Sequence, residues 1–269
     1  MTAERHAGQR PITRDDIDAV VPDRPVVVYS GMHVSTLNTA GLRASGLLDG
    51  AVPPRGVLFD PESGRGTELW SWLPAPGFGT EQIADAMVNL GNEMFTARGV
   101  TSINDVVHSA DGVRAYQLLH RQGRLPARVD VRWVSPVLLP SAALAATGLE
   151  TGFGDSWLRA GGIKLFIDGA GHDLDHRPLV DLKWDQDELD AEVETAHRAG
   201  LQLMMHVQAA ESVDMALLAL ERAITRFPRT DHRHRLEHAG DLPPDDARNC
   251  SFAGTQRTSR LRSAVGSRK

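Results

Sequence analysis

Cysteine is almost absent from this chain. Cys250 stands alone among 269 residues, which excludes a disulfide framework. Long apolar runs are missing too, and none approaches the roughly 20 residues that a membrane-spanning helix needs. The first residues, Met1-Thr-Ala-Glu-Arg-His6, lack the apolar core of a signal peptide, so the cytoplasm is the expected address. Basic surface is scarce: the formal net charge is −6, and no basic face appears before about the last twenty residues. Nucleic acid and membrane are therefore not expected partners. No Gly-x-Gly-x-x-Gly turn follows any strand-like segment, which removes the usual mark of a dinucleotide site. What is present is a hydrophobic fraction of 41% and eleven histidines. The first suffices for one large α/β domain or two small ones, and the second keeps metal chemistry open.

Read in order, the chain opens with polar residues and a helix start at Thr13, followed by Asp15-Asp-Ile-Asp18. Val26–Tyr29 reads as a buried strand, Asn38–Gly46 as a short helix, and Gly56–Trp72 as a hairpin turning at Pro61-Glu-Ser-Gly64. A helix is expected from about Glu81 to Arg98. From Gly99 onwards strands and helices alternate at intervals of roughly 30 to 40 residues. The strands are near 100–106, 128–134, 162–168, 201–207 and 234–238, which indicates βαβ units and a parallel sheet. The expected fold is α/β: a partial (β/α)8 TIM-type barrel of parallel strands, behind a small β-containing N-terminal portion. Residues 1–248 are expected to form that barrel domain. Residues 249–269 form a basic tail without a single acid or any apolar period, expected to be disordered or aberrant.

The stretch Gly161-Gly-Ile-Lys-Leu-Phe-Ile-Asp-Gly169 stands out. As a strand it puts Ile163, Leu165 and Ile167 on one face and Lys164, Phe166 and Asp168 on the other. A lysine facing inwards is costly unless it is paired, neutralised or chemically used. A Lys164–Asp168 ion pair, or a strand-edge lysine reaching water, remains the plain alternative. His206 and His238 end the next two strands, where (β/α) barrels keep their chemistry. Nitrogen ligands converging from adjacent strands suit a catalytic zinc site. An ammonium group cannot join such a site, because it has only donors and carries like charge. A lysine that deprotonates and takes up carbon dioxide becomes a carbamate, which can bridge two cations. Burial favours that deprotonation.

Gly99-Val-Thr-Ser, Lys164-Leu-Phe-Ile-Asp-Gly169, the His206 strand and Arg235-Leu-Glu-His-Ala239, in that order, resemble the amidohydrolase superfamily. The branch they look most like is the amidohydrolase 3 group, which includes N-substituted formamide deformylases. Pro22-Asp-Arg-Pro25 with His33 and Asn38 is similar to that branch as well. The resemblance runs from about Pro11 to Arg248. It implies a hydrolase of non-peptide carbon–nitrogen bonds, acting on a small molecule with one or two divalent ions, zinc foremost. It implies Lys164 (carbamylated where it takes up carbon dioxide), His206 and His238 as metal ligands, and Lys164 with Asp168 at the catalytic centre. His33 is a candidate substrate contact, with a structural histidine as the open alternative.

The departures also carry expectations. The family's strand-one His-x-His does not precede Pro22, and its strand-eight aspartate would fall beyond Arg248. His232-Arg-His234 fits the first pattern only as text, since it lies just before the strand-six histidine. The chain therefore reads as a fragment that binds metal weakly, turns over little or nothing alone, and exposes enough apolar surface to associate, as a homo-oligomer or otherwise. Two other readings stand: a Schiff-base enzyme using Lys164, and a non-catalytic degenerate product. Amide, formamide, urea and ester all remain open as substrates.

Overall fold

The computed structural model describes residues 10–30, 34–50, 58–67, 77–169, 180–239 and 256–258. Two compact units divide the chain: Met1–Pro76 with Gly169–Lys183, and Gly77–Asp168 with Trp184–Lys269.

In the first unit, helix α1 (Arg14–Asp18) starts where Thr13 predicts it, with the Thr13 amide and hydroxyl both donating to the Asp16 carboxylate at 2.9 Å. Strands β1 (Val27–Ser30) and β2 (Val34–Leu37) pair antiparallel, and α2 (Thr39–Ala44) follows. The side chain of Asn38 caps α2 at Gly41, as Asn residues do at helix starts. Strands β3 (Phe59–Asp60) and β4 (Arg65–Thr67) form the expected hairpin around Pro61–Gly64, and the sheet order is β1-β2-β4-β3. Two expectations change here. The strand expected to be buried, β1, is half exposed, and the buried one is β2, whose four residues are all inside. With no alternation in Val34-Ser-Thr-Leu37, period two had nothing to detect.

The second unit carries α3 (Thr80–Met94), β5 (Ser102–Val107), α4 (Ala110–Arg121), β6 (Arg128–Val134), α5 (Ser141–Ala145), β7 (Leu158–Phe166), α6 (Gln186–Arg198), β8 (Leu203–Val207), α7 (Ala210–Arg226), β9 (Arg235–His238) and β10 (Gln256–Thr258). All six strands lie parallel in the order β10-β9-β8-β7-β6-β5. This is the partial barrel wall that the strand–helix rhythm requires. The three-residue β10 was not expected, because an edge strand this short pairs through its backbone and needs no side-chain pattern. The rest of residues 249–269 lies outside the described residues.

Packing follows periodicity. Leu189, Val193 and Ala196 of α6 and Val213, Ala216, Leu217, Leu220 and Ala223 of α7 recur at helical spacing and are buried. They meet Ile163, Leu165 and Ile167, Leu203, Met205 and Val207, and Leu236 in one core. Each such aliphatic side chain contributes about 1.5–3 kcal/mol by leaving water. Leu236 packs against the helices. Counting from it, Arg235 and Glu237 are the inward residues of β9. Among the described residues, no helix is long and apolar enough to cross a membrane.

Candidate active site

The face of the sheet opposite the helices is polar, and the register shows how it is assembled. Lys164 lies beside Val134 of β6 and Met204 of β8, and Met204 lies beside Arg235 of β9. Two residues further along, Phe166 pairs with His206 and His206 with Glu237. A register shift between Val131 and Arg132 sets this alignment. Gly162 makes it feasible: at φ 118°, any Cβ there would collide with the Gln202 carbonyl.

Lys164 is 4% exposed. Its Nζ lies 4.9 Å from the centre of the Phe166 ring, and among the described residues no ion pair joins it to Asp168. Burial lowers its pKa to about 8; Glu237 opposes that shift, Arg235 adds to it, Asp168 opposes it and Arg132 adds to it. At that value about one lysine in ten is neutral at pH 7, against fewer than one in a thousand for a free side chain. The inward lysine is thus desolvated rather than paired.

His238 reaches its neighbour by leaving the pleat. Register pairs it with Val207, on the helix side, but φ is 71° at His238 and 46° at Ala239. This left-handed turn brings the His238 ring edge-on to His206, with centroids 4.7 Å apart. Phe166 flanks His206 at 5.5 Å. So His206 and His238 do meet, for a reason that alternation alone cannot supply.

Asp168 is wholly buried. Its Oδ2 accepts from the backbone of Gln208 (2.7 Å) and Ala209 (2.9 Å) and from Ser212 Oγ (2.7 Å). Helix α7 begins after Ala209, which has no side-chain acceptor, and the Asp168 carboxylate, just past the end of β7, holds the segment that leads into it. Burial pushes the Asp168 carboxyl above its ordinary value, against the pull of these donors. Asp168 Oδ1 lies 3.3 Å from His206 Nε2 without a hydrogen bond between them, and among the described residues it has no hydrogen-bond partner.

Arg132, Arg235 and Glu237 were missed at the level of sequence. Arg132, 2% exposed, donates to Gln202 (2.8 Å) and Asn104 (3.2 Å), and Arg235 lies 2.9 Å from Glu237. Charged residues alternating with Leu236 were the available signal. His33 lies outside the described residues.

A second histidine group sits on the helix side. Leu203 N donates to His234 Nδ1 at 3.0 Å, His234 Nε2 lies 2.9 Å from His197 Nδ1, and His197 Nε2 lies 2.7 Å from the Phe227 carbonyl. His232 stacks on His234 with centroids 4.7 Å apart. This is where the His-x-His text ends up, away from the lysine.

Among the described residues, no three His, Cys, Asp or Glu side chains form a group that could hold a metal ion. Two imidazoles in contact nonetheless supply nitrogen donors of the kind that a divalent cation takes.

The model of the amidohydrolase family matches residues 2–254. Protein LONG AFTER FAR-RED 3 of Arabidopsis thaliana is 23% identical over 260 residues, which is 86% of this chain and 44% of its own length. A metal-dependent hydrolase from Pyrococcus furiosus is similar in structure with a TM-score of 0.65 at 22% identity, covering 93% of this chain and 53% of that one. Another, from Pyrococcus horikoshii OT3, has a TM-score of 0.67 at 22% identity, covering 93% and 51%. The chain therefore spans about half the length of these relatives. At such identities the structural likeness speaks for the fold.

Proposed function

This chain belongs to the amidohydrolase family, and from that premise we propose that it carries the lysine-and-histidine side of a metal-dependent hydrolase centre. The bond it serves is a non-peptide carbon–nitrogen bond of amide or formamide type in a small molecule. The observation that carries this reading is the desolvated Lys164 amine on the face where His206 and His238 meet. Lys164, as its carbamate, with His206 and His238 would hold the cation, zinc or a similar divalent ion. Such an ion supplies Lewis acidity to activate water and to stabilise an oxyanion. The chain's own residues contribute the rest. Phe166 covers the lysine and keeps bulk water from the amine, and the buried setting strengthens every charge interaction on this face.

The test is cation binding by the full chain after chelator treatment, read by cobalt(II) absorption. It is accompanied by 13C spectra in labelled bicarbonate to detect a lysine carbamate. Cobalt should bind weakly, and Lys164→Ala should remove both signals. Affinity unchanged by Lys164→Ala, His206→Ala and His238→Ala alike would overturn the reading. If cation-dependent turnover is found, a panel of formamide, amide, urea and ester identifies the bond. One second reading has support from the same amine: a lysine with a pKa of about 8 is also primed for a Schiff base. Borohydride trapping with a carbonyl compound, without added metal, would favour it.

A further inference from the structure

We propose that Arg132 and Gln202 are positioning residues for Lys164: they lock an extra residue of β7 at Gly161, and this lock aims the lysine at the polar side of the sheet. What the lysine then does rests on the function proposed above, but its aim does not.

Strand β7 changes step halfway along. Leu158 and Ala160 pair with Val129 and Val131, and Leu158 packs with those valines on the helix side. Beyond Gly161 the helix side is taken by Ile163, Leu165 and Ile167. Even-numbered and odd-numbered residues cannot share a face in an unbroken pleat. The register jumps from Val131–Ala160 to Arg132–Gly162, so Gly161 is one residue too many and forms a bulge. Bulges beside active sites re-aim side chains in this way. Were the extra residue absorbed at Leu165 instead, Ile163 would face the polar side and Lys164 the helices, with Ile167 unchanged. Lys164 is only 4% exposed where it stands, so contact with water is not what holds it there.

Three residues fix the bulge at Gly161. The Arg132 guanidinium lies across the bare Cα, where a Cβ would come within 2.6 Å of Nε. Arg132 Nη2 donates to Gln202 Oε1 at 2.8 Å and to Asn104 Oδ1 at 3.2 Å. The Gln202 carbonyl accepts from the Ile163 amide at 2.9 Å and occupies the space that a Cβ on residue 162 would need. The Gln202 amide donates to Thr151 Oγ1 at 2.7 Å, and that hydroxyl donates to the Gly161 carbonyl at 3.2 Å. Among the described residues, Nε and Nη1 of the buried Arg132 have no hydrogen-bond partner. A guanidinium in that state costs free energy that an apolar side chain of the same volume would not. Packing alone therefore does not account for Arg132, whereas holding Gln202 against the bulge does.

The experiment uses the full chain, whose three lysines are Lys164, Lys183 and Lys269, with 13C at lysine ε and at the leucine, valine and methionine methyls. In the wild type the Lys164 ε-methylene should show an NOE to the methyl of Met204, its cross-strand neighbour, and none to Leu189 or Val193 of α6. Arg132→Met and Gln202→Ala should each lose the Met204 NOE and gain one to α6. Deleting Gly161 leaves a strand that alternates without a break. Lys164 should then keep the Met204 NOE, and the same two substitutions should no longer affect it. Gly162→Ala should lower the urea midpoint in the wild type, where φ is 118°, and not in the deletion variant, where residue 162 becomes ordinary extended backbone. Substitutions at Arg132 and Gln202 that lower the midpoint but keep the wild-type NOEs would make both residues merely structural and overturn the proposal. Equal loss with and without Gly161, a deletion variant that does not fold, or a wild-type NOE from Lys164 to α6 would overturn it too. An Arg132→Met chain that folds only with Gly161 deleted supports it, and one that folds in neither background overturns it. If the NOEs behave as stated but the wild type binds no cobalt, the aim of Lys164 stands and the metal reading falls.

Discussion

Histidines gather at both ends of the β8–β9 pair, with His234 just before β9 and His197 on α6 at one end and His206 and His238 at the other, and the two groups differ in what surrounds them. At the N-terminal end, His234 and His197 form a directed chain. His234 Nδ1 accepts from the Leu203 amide, so its proton is on Nε2 and goes to His197 Nδ1. His197 must then hold its proton on Nε2, which it gives to the Phe227 carbonyl. Both rings are neutral, with every nitrogen used, and burial lowers both pKa values. At the C-terminal end, His206 and His238 meet beside a desolvated lysine and a carboxylate oxygen without a hydrogen-bond donor. A saturated network holds a core together, whereas a buried carboxylate oxygen without a donor beside a desolvated amine is where chemistry is sought. The two groups look alike in the sequence, and indeed His232-Arg-His234 looks the more like a metal motif.

The largest expected effect breaks the comparison on its structural side. His234→Ala opens a cavity and strands Leu203 N and His197 Nδ1, so it should cost about 3 kcal/mol in urea unfolding. Cobalt affinity should be unchanged; a parallel loss would mean that the two groups are not separate. His238→Gly tests the other side. Glycine adopts the left-handed backbone at this position without strain, so the unfolding free energy should move by less than about 1 kcal/mol, while loss of the ring should cut cobalt affinity by about 100-fold or more (about 2.7 kcal/mol). An unfolding change larger than the binding change would make His238 structural.

A pH series sharpens the contrast further. The folded pKa values of His197 and His234 lie below that of an unfolded histidine, about 6.5. Below that pH the unfolded chain binds more protons than the folded one. Stability contributed by the two neutral rings is therefore present above about pH 6.5 and is lost as the pH falls from there towards their folded values. The slope is at most about 1.4 kcal/mol per pH unit for each ring. Urea midpoints at pH 5.5 and 7.5 measure it, and a midpoint independent of pH would contradict the directed chain. The smallest effect belongs to a third kind of histidine. His120 pairs with Asp155 at 2.8 Å on the surface, and His120→Ala should leave the unfolding midpoint within error.

Much of the second unit was readable from the chain. Ile163, Leu165 and Ile167 alternate with Lys164 and Phe166, and the stripes on α6 and α7 recur at helical spacing. These patterns follow from two fixed repeats, so strand order and the buried faces came with them. Other features were not readable. β2 has no alternation, β10 no pattern at all, and on β9 the positive φ at His238 breaks the repeat by which its face would be assigned. Asp168 was singled out beside Lys164, yet its donors come from residues 208 to 212, some 40 positions later.

What the sequence determined by itself is the alternation of strands and helices, the inward lysine and the two strand-end histidines, because local geometry maps residue spacing directly onto faces. What the tertiary structure alone decided is which of these groups are satisfied. It left Lys164 desolvated over Phe166, gave Asp168 one saturated oxygen and one without a donor, turned His238 towards His206, and used up both nitrogens of His234. Satisfaction and desolvation depend on atoms brought together from distant strands, and no local repeat records them.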